Sequence, residues 1–280
     1  MKMNTKKWVH NMHIYVIMIA VSITMLFPFL WMVSTSLKTR KDAISIAITL
    51  IPEPVTMAAY IDVWDIVPLL SGFKNTLLVV TPQIVLGTFV SAMAAFAFAK
   101  MDIPCKKVLF MGVLSTMMIP GVINLIPQYV VWGRLGVKDS LIPLIVPGLL
   151  GNVSMMFFLR QFLNGIPNDY IGAARIDGAG WVKTFLKIFL PLMKPAIAAQ
   201  VIFWFMSIWN DFLGPLVYLS SEDKFTLQLC MRLLDSLGRT TMEYPLIMAG
   251  SVLSCIPLLV IFICFQRYFM DSMVISGVKG

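Results

Sequence analysis

Charge is what this sequence has least of. Lysine, arginine, aspartate and glutamate make up 13% of its 280 residues, while 59% are hydrophobic. A typical soluble domain is about 25% charged and about 45–50% apolar. A soluble fold of this length would lack the polar residues to coat its core, and the apolar content excludes intrinsic disorder. Cysteine is scarce too: Cys105, Cys230, Cys255 and Cys264 form no C-x-x-C pair, which argues against a disulfide framework or a metal site. The two histidines, His10 and His13, have no ligand set near them in the sequence. No Gly-Lys dipeptide occurs, so the phosphate-binding pattern G-x-x-x-x-G-K-S/T is missing. No nucleophile–base arrangement stands out. The chain is therefore expected to have no catalytic residues, to hold no metal or cofactor of its own, and not to hydrolyse ATP.

What the sequence does have is long uncharged runs. Stretches free of Asp, Glu, Lys and Arg cover residues 8–37, 75–99, 108–133, 140–159, 195–210 and 244–266. A membrane span needs about 20 such residues, because each charge at its centre is expensive. Five runs qualify outright, and the fifth in order does so if Asp211 lies inside it, which carries it to residue 219. The expectation is an all-α polytopic membrane protein, one domain over 1–280. Its six transmembrane helices are placed at 14–36, 75–99, 108–130, 140–159, 196–218 and 244–265. The apolar pieces 43–52 and 66–73 are too short to cross. The first run exceeds the about 7–15 residues of a signal-peptide core and has no A-x-A-like site after it, so it is expected to remain as a span.

Six spans put both termini on one side. With that side cytoplasmic, the inner segments hold 13 basic residues and four acids, and the outer segments nine and ten, counting Asp211 as outer. The net charges are +9 inside and −1 outside, the orientation that the positive-inside rule selects. The expected location is the plasma or inner membrane, multi-pass. The same partition leaves no soluble basic face for nucleic acid.

Inside the spans, Asp211 is the only acid, in Trp209-Asn210-Asp211-Phe212. It reads either as part of an interface-wetted polar cluster or as a coupling-ion site; one acid without a basic partner makes a poor relay. Gly87, Ser91, Ala95 and Ala99 recur every four residues, a stripe that lets two backbones approach closely. That stripe suits packing within the chain's own bundle or at a subunit interface. Pro28, Pro82, Pro120, Pro127, Pro143, Pro147 and Pro257 imply broken or kinked helices, which membranes tolerate beside protein or a wet cavity. The 21 methionines fit adaptable packing.

The segment 160–195, between spans 4 and 5, reads as two short amphipathic helices with a glycine joint. Pro167 suits a first helical turn, Asp169 its positive end, and Gly178 its termination. In the second helix Trp181, Phe185 and Ile188 share one face and Lys183 and Lys187 another, and Pro191 is expected to break it before span 5. The apolar face fits the inner headgroup layer or a partner's groove.

Ala173-Ala174-Arg175-Ile176-Asp177-Gly178-Ala179, followed by Leu190-Pro191-Leu192 and Pro195, closely resembles the cytoplasmic loop of importer-type ABC transporter permeases. Phe27-Pro28-Phe29-Leu30-Trp31-Met32, Asn75-Thr76-Leu77, Phe158-Leu159-Arg160, Ile166-Pro167 and Gln266-Arg267-Tyr268-Phe269 extend the likeness along the chain. They are similar to the carbohydrate-uptake branch, in its six-span, maltose-type second permease subunit. The resemblance implies a permease subunit of a binding-protein-dependent sugar or oligosaccharide importer. It also implies ATPase coupling through Gly172, Ala173, Ala174, Asp177, Gly178, Ala179, Trp181, Phe185 and Pro191. Implied partners are a second permease subunit, two ATPase subunits that bind the ATP and Mg, and an extracytoplasmic solute-binding protein meeting the outer loop 220–243. The C-terminal tail would approach the ATPases. Gly172 departs from the motif, which has glutamate before the two alanines. For the sugar itself, Trp204, Trp209, Asn210, Asp211 and Tyr218 are the candidate pathway residues, their aromatics equally suited to an interfacial belt or to packing. The alternative, a stand-alone secondary transporter or channel, would need inverted repeats or intramembrane ion ligands, and neither is evident.

Overall fold

The structure is a computed structural model that describes the backbone of residues 5–45 and 49–277 and the side chains of 12–45 and 49–267. His10, the first three lysines and the side chains of the C-terminal tail beyond Arg267 lie outside the described residues. All regular structure among the described residues is helical. The principal helices are α1 (Thr5–Ser36), α2 (Leu69–Lys100), α3 (Lys106–Met118), α4 (Gly121–Arg134) and α5 (Ile142–Asn164). They continue as α6 (Asp169–Ile176), α7 (Trp181–Leu192), α8 (Lys194–Trp209), α9 (Leu213–Tyr218), α10 (Leu227–Thr240) and α11 (Tyr244–Gly277).

Four of these are long and apolar enough to cross a bilayer by themselves, in α1, α2, α5 and α11. Two bent pairs, α3 with α4 at 95° and α7 with α8 at 73°, bring the count to six when each pair is one span. The fold is thus an all-α, multi-pass membrane bundle. The breaks have local causes. Ile119 is extended because the ring of Pro120 disfavours a helical residue before it, and α3 ends there. Within α5, Gly151 takes φ +99°, and the extended Asn152 restarts the helix by accepting from the Met155 N–H at 2.9 Å. In α2, Pro82 cannot donate to the turn before it, and the helix widens into a π turn over Gln83–Gly87.

The helix of span 5 is not continuous to residue 218. The helix stops at Trp209, Asn210 Nδ2 donates back to the Met206 carbonyl at 2.8 Å, and the Asp211 carboxylate accepts from Gly214 N–H at 3.2 Å. Short polar side chains bonding to nearby backbone offer an alternative to helical hydrogen bonds. The chain therefore breaks here and restarts as α9.

The described residues gather in two compact units. The first holds those of Met1–Val67 and Met231–Ile256. Within it the buried Lys38 ammonium donates to the Thr49 carbonyl at 2.6 Å and lies 4.7 Å from the Trp31 ring centre. Arg40 pairs with Glu243 at 3.1 Å. Along α1 the apolar window is uncovered by this chain, as suits a helix whose neighbours are lipid or another subunit.

The second unit holds the described residues of Pro68–Cys230 and Pro257–Gly280. Its core joins α2 to α5, α7 and α8 through Ala92, Phe96, Leu159, Phe185, Phe189 and Trp204. The small-residue stripe packs inside the chain. A Cβ on Gly87 would collide with the Gly148 carbonyl and the Trp204 ring. Ser91 Oγ donates to the Gly87 carbonyl at 2.7 Å and accepts from Asn152 N–H at 2.8 Å. Ala95 is fully buried, and Ala99 packs at the edge of the same core.

Candidate functional site

At one end of the second unit, Lys100 Nζ donates to the Ile166 carbonyl at 2.6 Å and to Asn168 Oδ1 at 2.8 Å. That fixes where the 160–195 segment leaves the bundle. Pro167 lies two residues ahead of α6 rather than in its first turn, with Asn168 at the cap and Asp169 in the first turn. At the other end Gly178 has φ +70°, its N–H donates to the Arg175 carbonyl at 3.0 Å, and Ala179 N–H reaches the Ala174 carbonyl at 2.8 Å. This pair of bonds is a Schellman closure. Ala174 is buried, whereas Gly172, Ala173, Asp177 and Gly178 face outward. Tyr170 and Ile176 are also exposed, the latter at 87%.

The aromatic face of α7 points the other way. Phe185 lies 5.4 Å from Phe96 and 5.8 Å from Phe89 between ring centres, and Trp181 lies 6.2 Å from Phe96. Trp181 also carries the Arg175 guanidinium 4.9 Å from its ring centre, which links α6 to α7. These two aromatics hold the segment to its own core, Phe185 buried and Trp181 partly exposed. Pro191 does not break the helix either. A π turn over Phe185–Phe189 lets α7 continue through Pro191 to Leu192, and the bend falls at Met193. The outward apolar groups are Tyr170, Ile176, Val182 and Leu186. A Cβ on Gly172 would meet nothing within 4 Å. Gly172→Glu is accordingly expected to fold with thermal stability within about 1 kcal/mol of the parent, the gain being helix propensity. A melting curve well below the parent's would contradict this.

At the break between α8 and α9, Asp211 lines a cavity of about 190 Å³ together with Thr76, Gln83, Leu144, Ser207 and Pro215. Gln83 is oriented by donating to the Val79 and Leu144 carbonyls at 3.1 and 3.0 Å. Asn210 is exposed beside it, and the Tyr218 hydroxyl lies 3.5 Å from Gln128 Oε1. The two tryptophans do not join them. Trp209 is 1% exposed, stacked on Phe205 at 5.3 Å, and Trp204 is packed in the core over Gly87. Neither has an open face for a solute. Thr76, Gln83 and Gln128 were passed over because counting charges ignores neutral polar groups inside apolar runs.

Beyond this break the chain is clasped. Asp139, at φ +46°, accepts from the Ser220 and Ser221 N–H groups at 2.8 and 3.1 Å, from the Ser221 hydroxyl, and from Lys224 Nζ at 2.9 Å. These donors, the Ser220 N–H foremost, hold its carboxyl well below the usual carboxylate range, and the Asp139 partner raises Lys224. Asn75 Nδ2 donates to the Asp223 and Phe225 carbonyls at 2.9 and 3.0 Å, and Thr76 Oγ1 accepts from Leu227 N–H at 2.8 Å. Among the described residues no group of three His, Cys, Asp or Glu is placed to hold a metal.

Comparison with known proteins places these features. The family described as binding-protein-dependent transport system inner membrane component matches residues 12–274. The arabinooligosaccharides transport system permease protein of Halalkalibacterium halodurans is 34% identical over 258 residues, 91% of each chain. The protein of that name from Bacillus subtilis is 32% identical over 267 residues, 92% of each. Among solved structures, a chain of a bacterial ABC transporter involved in import of the acidic polysaccharide alginate has the same fold. Its TM-score is 0.82 at 22% identity, over 96% of this chain and 99% of that one.

Proposed function

Since the chain belongs to the family of binding-protein-dependent transport system inner membrane components, we propose that it is one half of the membrane pathway of an ATP-driven oligosaccharide importer. It is a non-catalytic permease subunit. A second permease completes the pathway, two ATPase subunits carrying ATP and Mg dock beneath it, and a solute-binding protein delivers the sugar from outside. Orientation is carried by charge: both termini and the 160–195 segment lie on the cytoplasmic side, at +9 against −1.

The observation that carries the reading is α6. An eight-residue helix is marginal alone. Here it is fixed at its start by Lys100, at its end by the Gly178 closure, and to α7 by Arg175 over Trp181, which itself packs on Phe96. What it leaves outward, from Tyr170 to Ile176, is a rigid apolar knob for a partner's groove. Closure of the ATPases on ATP would draw this knob inward with its counterpart and open the pathway outward; hydrolysis would reset it. The sugar's hydroxyls would pass the polar break at Asn210, Asp211 and Tyr218. The substrate class rests on the arabinooligosaccharide names of the two relatives.

The test is uptake of labelled arabinotriose by cells expressing the chain with its partner genes. Uptake is expected to need the ATPase and the binding protein, and to vanish when residues 173–190 are scrambled. Uptake persisting without any ATPase would favour a stand-alone secondary transporter.

A further inference from the structure

Residues 219–227 connect α9 to α10 on the outer side, and side chains far away in sequence hold them. Asp139 reaches Ser221 across 82 residues, Asn75 reaches Asp223 across 148, and Thr76 reaches Leu227 across 151. Asn75 and Thr76 belong to α2, while Asp139 lies in the turn between α4 and α5. The side chains that bind the segment come from α2 and from the turn before α5. Glu222 and Asp223 are left exposed on a backbone with little freedom to move. Ordering a loop before its partner arrives lowers the entropic cost of association. It also ties the loop to α2 and to the turn that leads into α5, so that a push on the loop reaches both.

We propose that Asp139, Asn75 and Thr76 are positioning residues for the solute-binding protein: they shape segment 219–227 into a rigid receiving surface and couple it to α2 and to the turn that leads into α5. The proposal rests on the importer reading above. Asn75 and Thr76 open the Asn75-Thr76-Leu77 stretch that the family resemblance singles out, and the clasp gives those two side chains a task.

The test uses the complete importer in lipid vesicles, with ATP hydrolysis followed against the concentration of arabinotriose-loaded binding protein. Asp139→Ala is expected to raise the half-saturating concentration about tenfold, the order expected from losing a preorganised loop, with the maximal rate within about twofold. Asp139→Asn keeps an acceptor for the two N–H groups but drops the ion pair, and is expected to shift it about threefold. An unchanged half-saturating concentration in both variants would overturn the proposal. So would a lower maximal rate or melting temperature without that shift, since this is what a merely structural clasp predicts. A parent complex indifferent to its binding protein would overturn the importer reading, and this one with it.

Discussion

Gly178→Leu is expected to abolish uptake while the protein still reaches the membrane in normal amount. The backbone at Gly178 has φ +70°, a conformation that costs a residue with a Cβ about 1–2 kcal/mol. A leucine there relaxes toward negative φ, and the Schellman bonds from Gly178 and Ala179 are lost with it. Because α6 is only eight residues long, losing its closure redirects Ile176, the most exposed apolar group of the segment. A Cβ at 178 would meet nothing within 4 Å, so the damage is to backbone direction and leaves the core intact. Uptake assays paired with membrane immunoblots decide the matter; normal uptake by this variant would end the assignment of α6 as the coupling element. Gly178→Asn, which tolerates the left-handed region, is expected to recover part of the activity.

The opposite result is expected of Gly87→Leu, which should leave little folded protein at all. Both atoms in the way, the Gly148 carbonyl and the Trp204 ring, belong to the buried junction of α2, α5 and α8. A backbone carbonyl has no rotamer to change. Overpacking of this kind costs about 1–3 kcal/mol where neighbours can shift, and more where they cannot. The expected outcome is a melting temperature too low to measure in the purified complex, or loss from the membrane. A variant that melts with the parent would show that the stripe is not an internal contact.

The four long apolar helices α1, α2, α5 and α11 were legible because the bilayer imposes length and excludes charge, and both can be counted along a single chain. Asp169 and Gly178 were legible for a similar reason: a helix terminus selects its residues from the backbone immediately beside it. Phe185 and Trp209 pack within the chain, which helical spacing alone does not reveal: it says that something covers an aromatic, not whether the cover is the chain itself. Pro120 and Pro191 look alike in sequence yet only the first ends a helix. The residue before Pro120 is driven extended, whereas the π turn ahead of Pro191 absorbs its missing donor. The Asn75 and Asp139 clasp was invisible because its partners are 81 to 150 residues away and are mostly backbone atoms, which leave no trace in residue type.

The two π turns carry a mechanical consequence. A π turn accommodates one residue more than an α turn, so α2 and α7 each contain one residue of slack, at Gln83–Gly87 and Phe185–Phe189. Passing that extra residue along the helix would rotate the stretch it crosses by about 100°, the angle per residue of an α-helix. In α2 such a screw motion would swing Ser91 away from Asn152; in α7 it would withdraw Phe185 from Phe96. Both junctions can thus act as ratchets, trading a twist for a tilt without breaking the helix that transmits it.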